Sequence, residues 1–566
     1  MNMKKSLFKN GIFILFFILT IGALFRFYNL NWDQNQHLHP DERFLTMVGN
    51  AMQIPSSFFD YLNPQTSKLN PANVNYSFFV YGTFPLILNK IVAILFENDN
   101  YNNFTIQGRF LSALADLLVI VLIYKTILLF ERRYEISTQI KYWASLFYAI
   151  AVLPIQLSHF FAVDTFLNLF MFSAFYFAAR FWITNSLINV ALSGVFFGCA
   201  MASKVSAIYI LPLIIFFLAI NSFSRKRQGF VNIFFKSALI IILFSTTFYL
   251  SLRFLDPYLF QDNNIFNPQI SSLFLENLKT LKSYSGEDTW YPPSIQWIHK
   301  LPVVFSLFNL SVFGVGLPYF VFIILGVYFI IAKIRRIEIF VIVLWSIIFF
   351  FYQSIQFVKV MRYFVFIYPF LAIIAGLGFH YFTKIWGRQF GVLTLLLILI
   401  WPLAFFSIYT KNHSRVIASE WIYTYIPYGS AISCEYWDDC LPRELNNKSY
   451  SSYKIETLTF YDRDTPDKWA KINNQLLNLD YIILSSNRLW GSISNVPERY
   501  PITAKFYRDL FADNLSFKKV AEITSYPSLG YLGIPIDFPD DWADESFTVY
   551  DHPKVIIFSK EKNQDI

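Results

Sequence analysis

From Ile12 onward the chain alternates long apolar runs with short polar breaks, until about residue 410, where the pattern stops. Apolar runs near twenty residues are long enough to cross a bilayer as helices. The candidate spans are residues 12–30, 108–130, 141–161, 164–182, 186–203, 205–222, 232–253, 312–332, 338–356, 363–381 and 390–409, which predicts about eleven transmembrane helices. Residues 78–96 are also apolar, but Gly82 and Pro85 interrupt them, and they are expected to lie in the interface or to dip in and return. A second such segment is expected after Tyr291-Pro-Pro-Ser, up to about Leu310.

Charge fixes the expected orientation. Lys4, Lys5 and Lys9 precede the first run, and no small-residue cleavage site follows it, so it reads as a retained helix starting in the cytoplasm. Eleven crossings then put Arg132/Arg133, Arg225/Lys226/Arg227, Lys333/Arg335/Arg336 and Lys384/Arg388 on the cytoplasmic side, as the positive-inside rule asks. Counting residues 78–96 as a full span would put all of those clusters outside. The same parity places the loop after the first helix, and everything after Thr410, outside the cytoplasm.

Residues 411–566 are rich in charge, Asn, Tyr and Pro. Tyr481–Leu484 and Lys554–Phe558 predict strands, and Asp467–Leu477 and Ala504–Phe511 predict helices. The expected organisation is a transmembrane domain over 1–410, with 31–107 as its first extracytoplasmic loop, followed by a soluble α/β-type extracytoplasmic domain over 411–566. Cys434 and Cys440 lie where an oxidising compartment permits a disulfide, two free thiols being the alternative, while Cys199 is expected to pack within a span.

Composition agrees with a plasma-membrane location. The 566 residues are 55% hydrophobic and 20% aromatic, with a mean hydropathy of +0.42, which excludes an ordinary soluble globular chain. The net charge of +8 comes from small clusters between apolar runs, and no nucleic-acid motif is present, so no nucleic-acid partner is expected.

The stretch His37-Leu-His-Pro-Asp-Glu-Arg-Phe44 stands out from this greasy background. Asp41 and Glu42 could activate an incoming hydroxyl or amine; a helix start at Pro40 explains the same residues, because acids in a first turn suit the helix dipole. Asp164, between two spans on the same predicted face, strengthens the functional reading, since ionisable groups at membrane depth are costly. It too has a plainer reading, as a polar residue in a helix turn. His159 reads as a polar helix end. Arg109, Lys204, Lys359 and Arg362 fall on that face as well, where they suit an anionic headgroup, snorkelling being the alternative.

These residues form an ordered set. The acidic pair, Arg109-Phe-Leu-Ser-Ala-Leu114, Asp164, Ser203-Lys204 and Met361-Arg-Tyr-Phe-Val-Phe-Ile-Tyr-Pro369 together resemble the GT-C superfamily of glycosyltransferases. The likeness is to the branch holding protein O-mannosyltransferases and the bacterial aminoarabinose transferase. Two tail segments, Ser419–Ser430 and Glu545–Pro553, are similar to those of bacterial relatives and add family identity but no chemistry.

The resemblance implies a polytopic α-helical GT-C-like fold and an enzyme that moves a sugar from a polyprenyl-phosphate donor to an extracytoplasmic glycan, lipid or protein acceptor. A single displacement would invert the anomeric centre. It implies Asp41 as base, Glu42 orienting the acceptor or Asp41, and Asp164 as the second acid. His39, Arg109, Lys204, Arg362 and Tyr363 are implied at the substrates, with the three cations on the donor phosphate. The aminoarabinose enzymes carry a Lys in the interfacial segment, whereas Tyr81-Gly-Thr-Phe-Pro85 has none and Lys90 comes only later, so Lys90 or another cation must serve, or the donor differs. No β-trefoil pattern is present in the tail. No metal site is assigned, although a divalent metal occurs near the acidic pair in some relatives, where His37, His39, Asp41 and Asp164 could ligate. The rival readings are a transporter or flippase for lipid-linked sugars and a non-catalytic membrane scaffold.

Overall fold

The computed structural model describes residues 2–134, 136–223 and 230–561. The cluster Arg225/Lys226/Arg227 therefore lies outside the described residues. All eleven apolar runs are helical. Seven helices are long and apolar enough to cross a membrane: Tyr101–Tyr134, Val163–Thr184, Asn232–Leu255, Leu317–Ile334, Ile337–Ser354, Met361–Trp386 and Arg388–Thr410. Ile140–Ala149 and Val152–Ser158 make an eighth span that bends by 54° at its break, and the remaining three runs form the shorter apolar helices Gly11–Phe27, Leu187–Met201 and Val205–Ile220. The chain is a multi-pass membrane protein.

The interfacial segments behave according to their length. Helix Phe84–Leu95 has 12 residues. At 1.5 Å per residue it spans about 18 Å, short of a ~30 Å hydrocarbon core. The segment after Tyr291 is not one helix: it breaks into Pro292–Ile295 and Val304–Asn309, the latter running on into a π-helical turn at Leu310–Gly314. Pro302 and the left-handed backbone of His299 and Val303 interrupt it.

Inside the bundle one buried ion pair is satisfied from three helices. Arg26 Nε donates to Asp116 Oδ2 at 2.7 Å, its other nitrogens reach the carbonyls of Ala149 and Tyr148, and the Tyr148 hydroxyl donates to Asp116. Neither charge is solvent-exposed. A buried pair is tolerable only with such complete hydrogen bonding, and removing one member would leave a bare charge in hydrocarbon.

After the last span the chain forms a five-stranded sheet. Its strands are β1 (Ala431–Glu435), β2 (Lys454–Leu458), β3 (Tyr481–Leu484), β4 (Phe517–Ile523) and β5 (Val555–Lys560), in the order β2-β1-β3-β5-β4. β1 runs parallel to β2 and β3, whereas β5 is antiparallel to β3 and β4. Alternation sends Ile482 and Leu484 to one face, with Ile472 and Tyr507 of helices Pro466–Asn478 and Pro501–Phe511, and Ile483 to the other, with Ile422 of helix Ser414–Tyr425. This is the α/β-type fold the tail predicts. Cys434 and Cys440 are joined by a disulfide that closes the loop leaving β1, and Cys199 is a buried free thiol.

Candidate active site

The octapeptide makes the turn into helix Pro40–Ala51. His39 caps it, its Nδ1 accepting the Glu42 N–H at 3.3 Å, with Pro40 at the first position and both acids in the first turn. The helix-start reading therefore holds. It also sends the two acids in different directions.

Glu42 points inward and is fully buried. It accepts from Arg109 Nε at 2.8 Å and from the Phe161 N–H at 2.7 Å. Arg109 completes its fork on Asp33 and on the Leu30 carbonyl, and lies 4.6 Å from the centre of the Trp32 ring. Burial raises the carboxyl of Asp33, but the Arg109 charge outweighs it and holds it below its usual range. Arg109, read from the sequence as a phosphate ligand, thus has its guanidinium committed to two carboxylates and a carbonyl. The Glu42 carboxylate is fully buried, with Arg109 and the Phe161 N–H as its hydrogen-bond donors. His39 is 1% exposed and packed between Phe160 and Tyr550. Burial, with the nearby charge of Arg362, lowers it to about 3 and keeps it neutral. His159 stacks on Tyr409 at 3.6 Å and is structural, as its helix-end position suggests.

Asp41 points the other way, and Arg362 closes on it in an ion pair. Burial would lift the Asp41 carboxyl, but Arg362 overrides this and holds it at about 2. Arg362 keeps one buried N–H, at Nε, without a partner. Its neighbour Tyr363 carries Lys204 above its ring at 4.9 Å, and Lys204 Nζ donates to Asp164 Oδ1 at 2.8 Å. Two ion pairs are thereby set side by side by Met361–Ile367, the start of Val163–Thr184 and the loop before Val205.

Asp164, Lys204, Arg362 and Tyr363 line one cavity of about 430 Å³. Phe349, Phe357 and Phe366 supply an apolar wall, and Lys282, which the sequence gives no reason to single out, adds a third cation. Lys90 is absent from this lining; it is tied to Asp99 at 2.6 Å on helix Phe84–Leu95. The cations available in place of a lysine in the interfacial segment are therefore Lys204, Lys282 and Arg362.

The tail segment Glu545–Pro553, read as chemically silent, comes down onto this site together with Asp544 just before it. Tyr550 packs against His39, Asp544 Oδ2 accepts the Met361 N–H at 2.8 Å, and Gln156 donates to the Phe547 carbonyl at 2.7 Å. No signal short of the folded topology could have placed it there.

Residues 85–249 match the model of the dolichyl-phosphate-mannose-protein mannosyltransferase family. That stretch contains Arg109, Asp164 and Lys204 and agrees with the resemblance carried by the motifs. A search of curated proteins gives no match. Among solved structures, the chain is similar to the archaeal oligosaccharyltransferase AglB from Archaeoglobus fulgidus in complex with an inhibitory peptide and a dolichol-phosphate. Identity is 12%, coverage 97% of this chain and 88% of that one, and the TM-score 0.49. It is also similar to ArnT from Cupriavidus metallidurans bound to undecaprenyl phosphate, at 13% identity, 97% coverage of each chain and a TM-score of 0.46. A shorter match, over 45% of this chain and 34% of the other, is to the protein O-mannosyltransferase Pmt1-Pmt2 complex of S. cerevisiae, at 14% identity and a TM-score of 0.32.

The metal reading does not fit these side chains. His37 is engaged by Asn102 and Thr105, His39 by the helix cap, Asp41 by Arg362 and Asp164 by Lys204. Among the described residues no three His, Cys, Asp or Glu side chains gather where an ion could bind.

Proposed function

We propose that this protein is an integral-membrane glycosyltransferase that moves a sugar from a polyprenyl-phosphate donor to an acceptor on the non-cytoplasmic face. The observation that carries the reading is the 430 Å³ cavity, which joins three cations and one carboxylate to an aromatic wall beside Asp41. A phosphate with a long apolar tail needs both surfaces at once. The orphan Nε of Arg362 is a ready donor for a phosphate oxygen.

Asp41 accepts the proton of the acceptor as the new bond forms at the anomeric carbon. Lys204, Lys282 and Arg362 stabilise the departing phosphate, and one displacement inverts the centre. Held at about 2, Asp41 is a poor base while Arg362 grips it. A phosphate that draws Arg362 away returns basicity to Asp41 as the donor arrives, which couples donor binding to activation. Glu42, Arg109 and Asp33 act as positioning residues that fix the helix bearing Asp41.

The distribution of charge along the helices supports the proposed orientation. Asp164 and Arg362 stand at the starts of Val163–Thr184 and Met361–Trp386, and Arg132, Arg133 and Lys384 stand at the far ends of Tyr101–Tyr134 and Met361–Trp386. By the positive-inside rule this favours a site outside the cytoplasm, with the domain over 411–566 on the same side.

The test is transfer of radiolabelled sugar from a panel of polyprenyl-phosphate donors in membranes. Asp41→Asn should lower turnover by about 10²–10⁴-fold while leaving folding and donor binding intact. Equal turnover in the variant would overturn the proposal.

A further inference from the structure

A second cavity, of about 370 Å³, lies between the loop over residues 64–83 and the chain that follows helix Phe230–Leu255. A strip of its wall leads to the loop that carries Lys204, a lining residue of the cationic cavity. Tyr81 and Thr83 line the second cavity, while the main chain between them rests on the loop that carries Lys204. The Gly82 N–H donates to the Ser203 carbonyl at 3.0 Å and the Phe84 N–H to the Ala202 carbonyl at 3.2 Å. A β-carbon on Gly82 would fall 2.0 Å from the Ala202 oxygen, so only glycine lets the strip lie this close. Tyr81 stands within electrostatic reach of Asp41, Arg362 and Asp164.

The two cavities differ in chemistry. The second is lined by the amides of Gln65, Asn73, Gln261 and Asn277 and by several hydroxyls, and no Lys, Arg or His is among its lining residues. Asp256 is its one carboxylate, 4% exposed, accepting from the Thr83 hydroxyl at 2.6 Å. Burial lifts Asp256 to about 7, so near neutrality it can either donate or accept a hydrogen bond. A phosphate or carboxylate entering here would lose its hydration and meet no cation. A neutral polyol would exchange water for amides and hydroxyls, and lay its C–H faces on Phe79, Phe260 or Phe274.

We propose that this cavity is the acceptor site and takes an uncharged, hydroxyl-rich saccharide, whose nucleophilic hydroxyl passes Tyr81 to reach Asp41. The acceptor role rests on the reading of the cationic cavity as the donor side. The neutral-saccharide chemistry stands on the lining alone.

The experiment uses the full chain in lipid nanodiscs. Saturation-transfer NMR titrations would measure binding of mannobiose, cellobiose and N,N′-diacetylchitobiose, with cellobiouronic acid as the charged counterpart and undecaprenyl phosphate measured in parallel. We expect at least one neutral disaccharide to bind and the uronic acid to bind about tenfold more weakly or not at all. Ala72→Trp, which fills the cavity, and Asp256→Asn should each weaken the neutral sugar about tenfold or more while leaving undecaprenyl phosphate binding unchanged. The proposal is overturned if no neutral disaccharide binds, if the uronic acid binds equally well, or if Ala72→Trp has no effect on the sugar. Failure of the wild type to bind undecaprenyl phosphate, with saccharide binding as expected, would remove the donor reading and leave the saccharide pocket in place.

Discussion

Arg43 and Asp439, 396 positions apart, form an ion pair at 2.8 Å that ties the helix bearing Asp41 to the loop closed by Cys434 and Cys440. Asp439 is shared: its other oxygen accepts from Arg415 at 3.0 Å, and Arg415 also holds Asp438 at 2.7 Å. The tail is therefore fastened to the helix bearing Asp41 through a short covalently closed loop.

Opening that loop should loosen the fastening. Cys440→Ser, or reductant, is expected to lower tail stability by about 2 kcal/mol from loop entropy alone. Transfer activity should fall with it, because Asp438 and Asp439 lose their fixed spacing. Thermal unfolding with and without reductant, alongside the transfer assay, measures both; unchanged activity in the reduced protein would show that the fastening does not govern Asp41.

Arg109→Ala should cost about 3–5 kcal/mol, since it leaves Asp33 and Glu42 buried without their partner. Arg109→Lys should recover only part of this, because an ammonium cannot reproduce the fork. Thermal stability of the purified variants checks the ranking, which a direct phosphate-binding role for Arg109 would not require.

Lys282→Gln should behave in the opposite manner. The residue is exposed at the cavity rim, so stability should stay within about 0.5 kcal/mol of wild type. KM for the donor should rise several-fold, less steeply at high salt, where the screened charge matters less.

With Asp41 as the base, Arg362 is expected to set the acid limb of the pH profile. With Asp41 at about 2, below its ordinary 3.8, the pair contributes stability above pH 3.8 and loses it as pH falls towards 2. Arg362→Gln removes the positive charge that opposes burial, so the acid limb of kcat/KM should move to higher pH and into the measurable range. An acid limb that stays in place would mean that Asp41 is not the base.

His552 sits between Asp540 at 2.8 Å and Asp551 at 2.5 Å, and Asp551 also accepts from Tyr409 and Gln156. Burial would depress the imidazole, but the two carboxylates raise it to about 10. A raised value stabilises fully below pH 6.5 and is lost as pH rises through 10, at no more than about 1.4 kcal/mol per pH unit. His552→Gln should flatten that part of the stability profile, as thermal unfolding from pH 6 to 10 would reveal.

Much of this architecture is legible in the sequence because it follows from periodicity and length. The apolar runs name the spans, and Phe84–Leu95, at 12 residues, is as short as the reading of residues 78–96 as an interfacial segment expects. The tail strands Tyr481–Leu484 and Val555–Lys560 and helix Pro466–Asn478 stand close to where their patterns put them. Individual side-chain roles are less legible. Asp41 and Glu42 are adjacent in sequence, yet a helical first turn rotates them by about 100° from each other. One faces Arg362 and the other Arg109. Lys282 and Tyr550 reach the site only through long-range packing, which no local spacing encodes.

The strip between the second cavity and the loop bearing Lys204 is hung from main-chain atoms at Gly82 and Phe84. Exchanging the side chains at positions 81 and 83 would leave those suspension points in place. On the proposed assignment of the two cavities, reshaping that one wall would change which acceptor fits while leaving the loop that bears Lys204 in place.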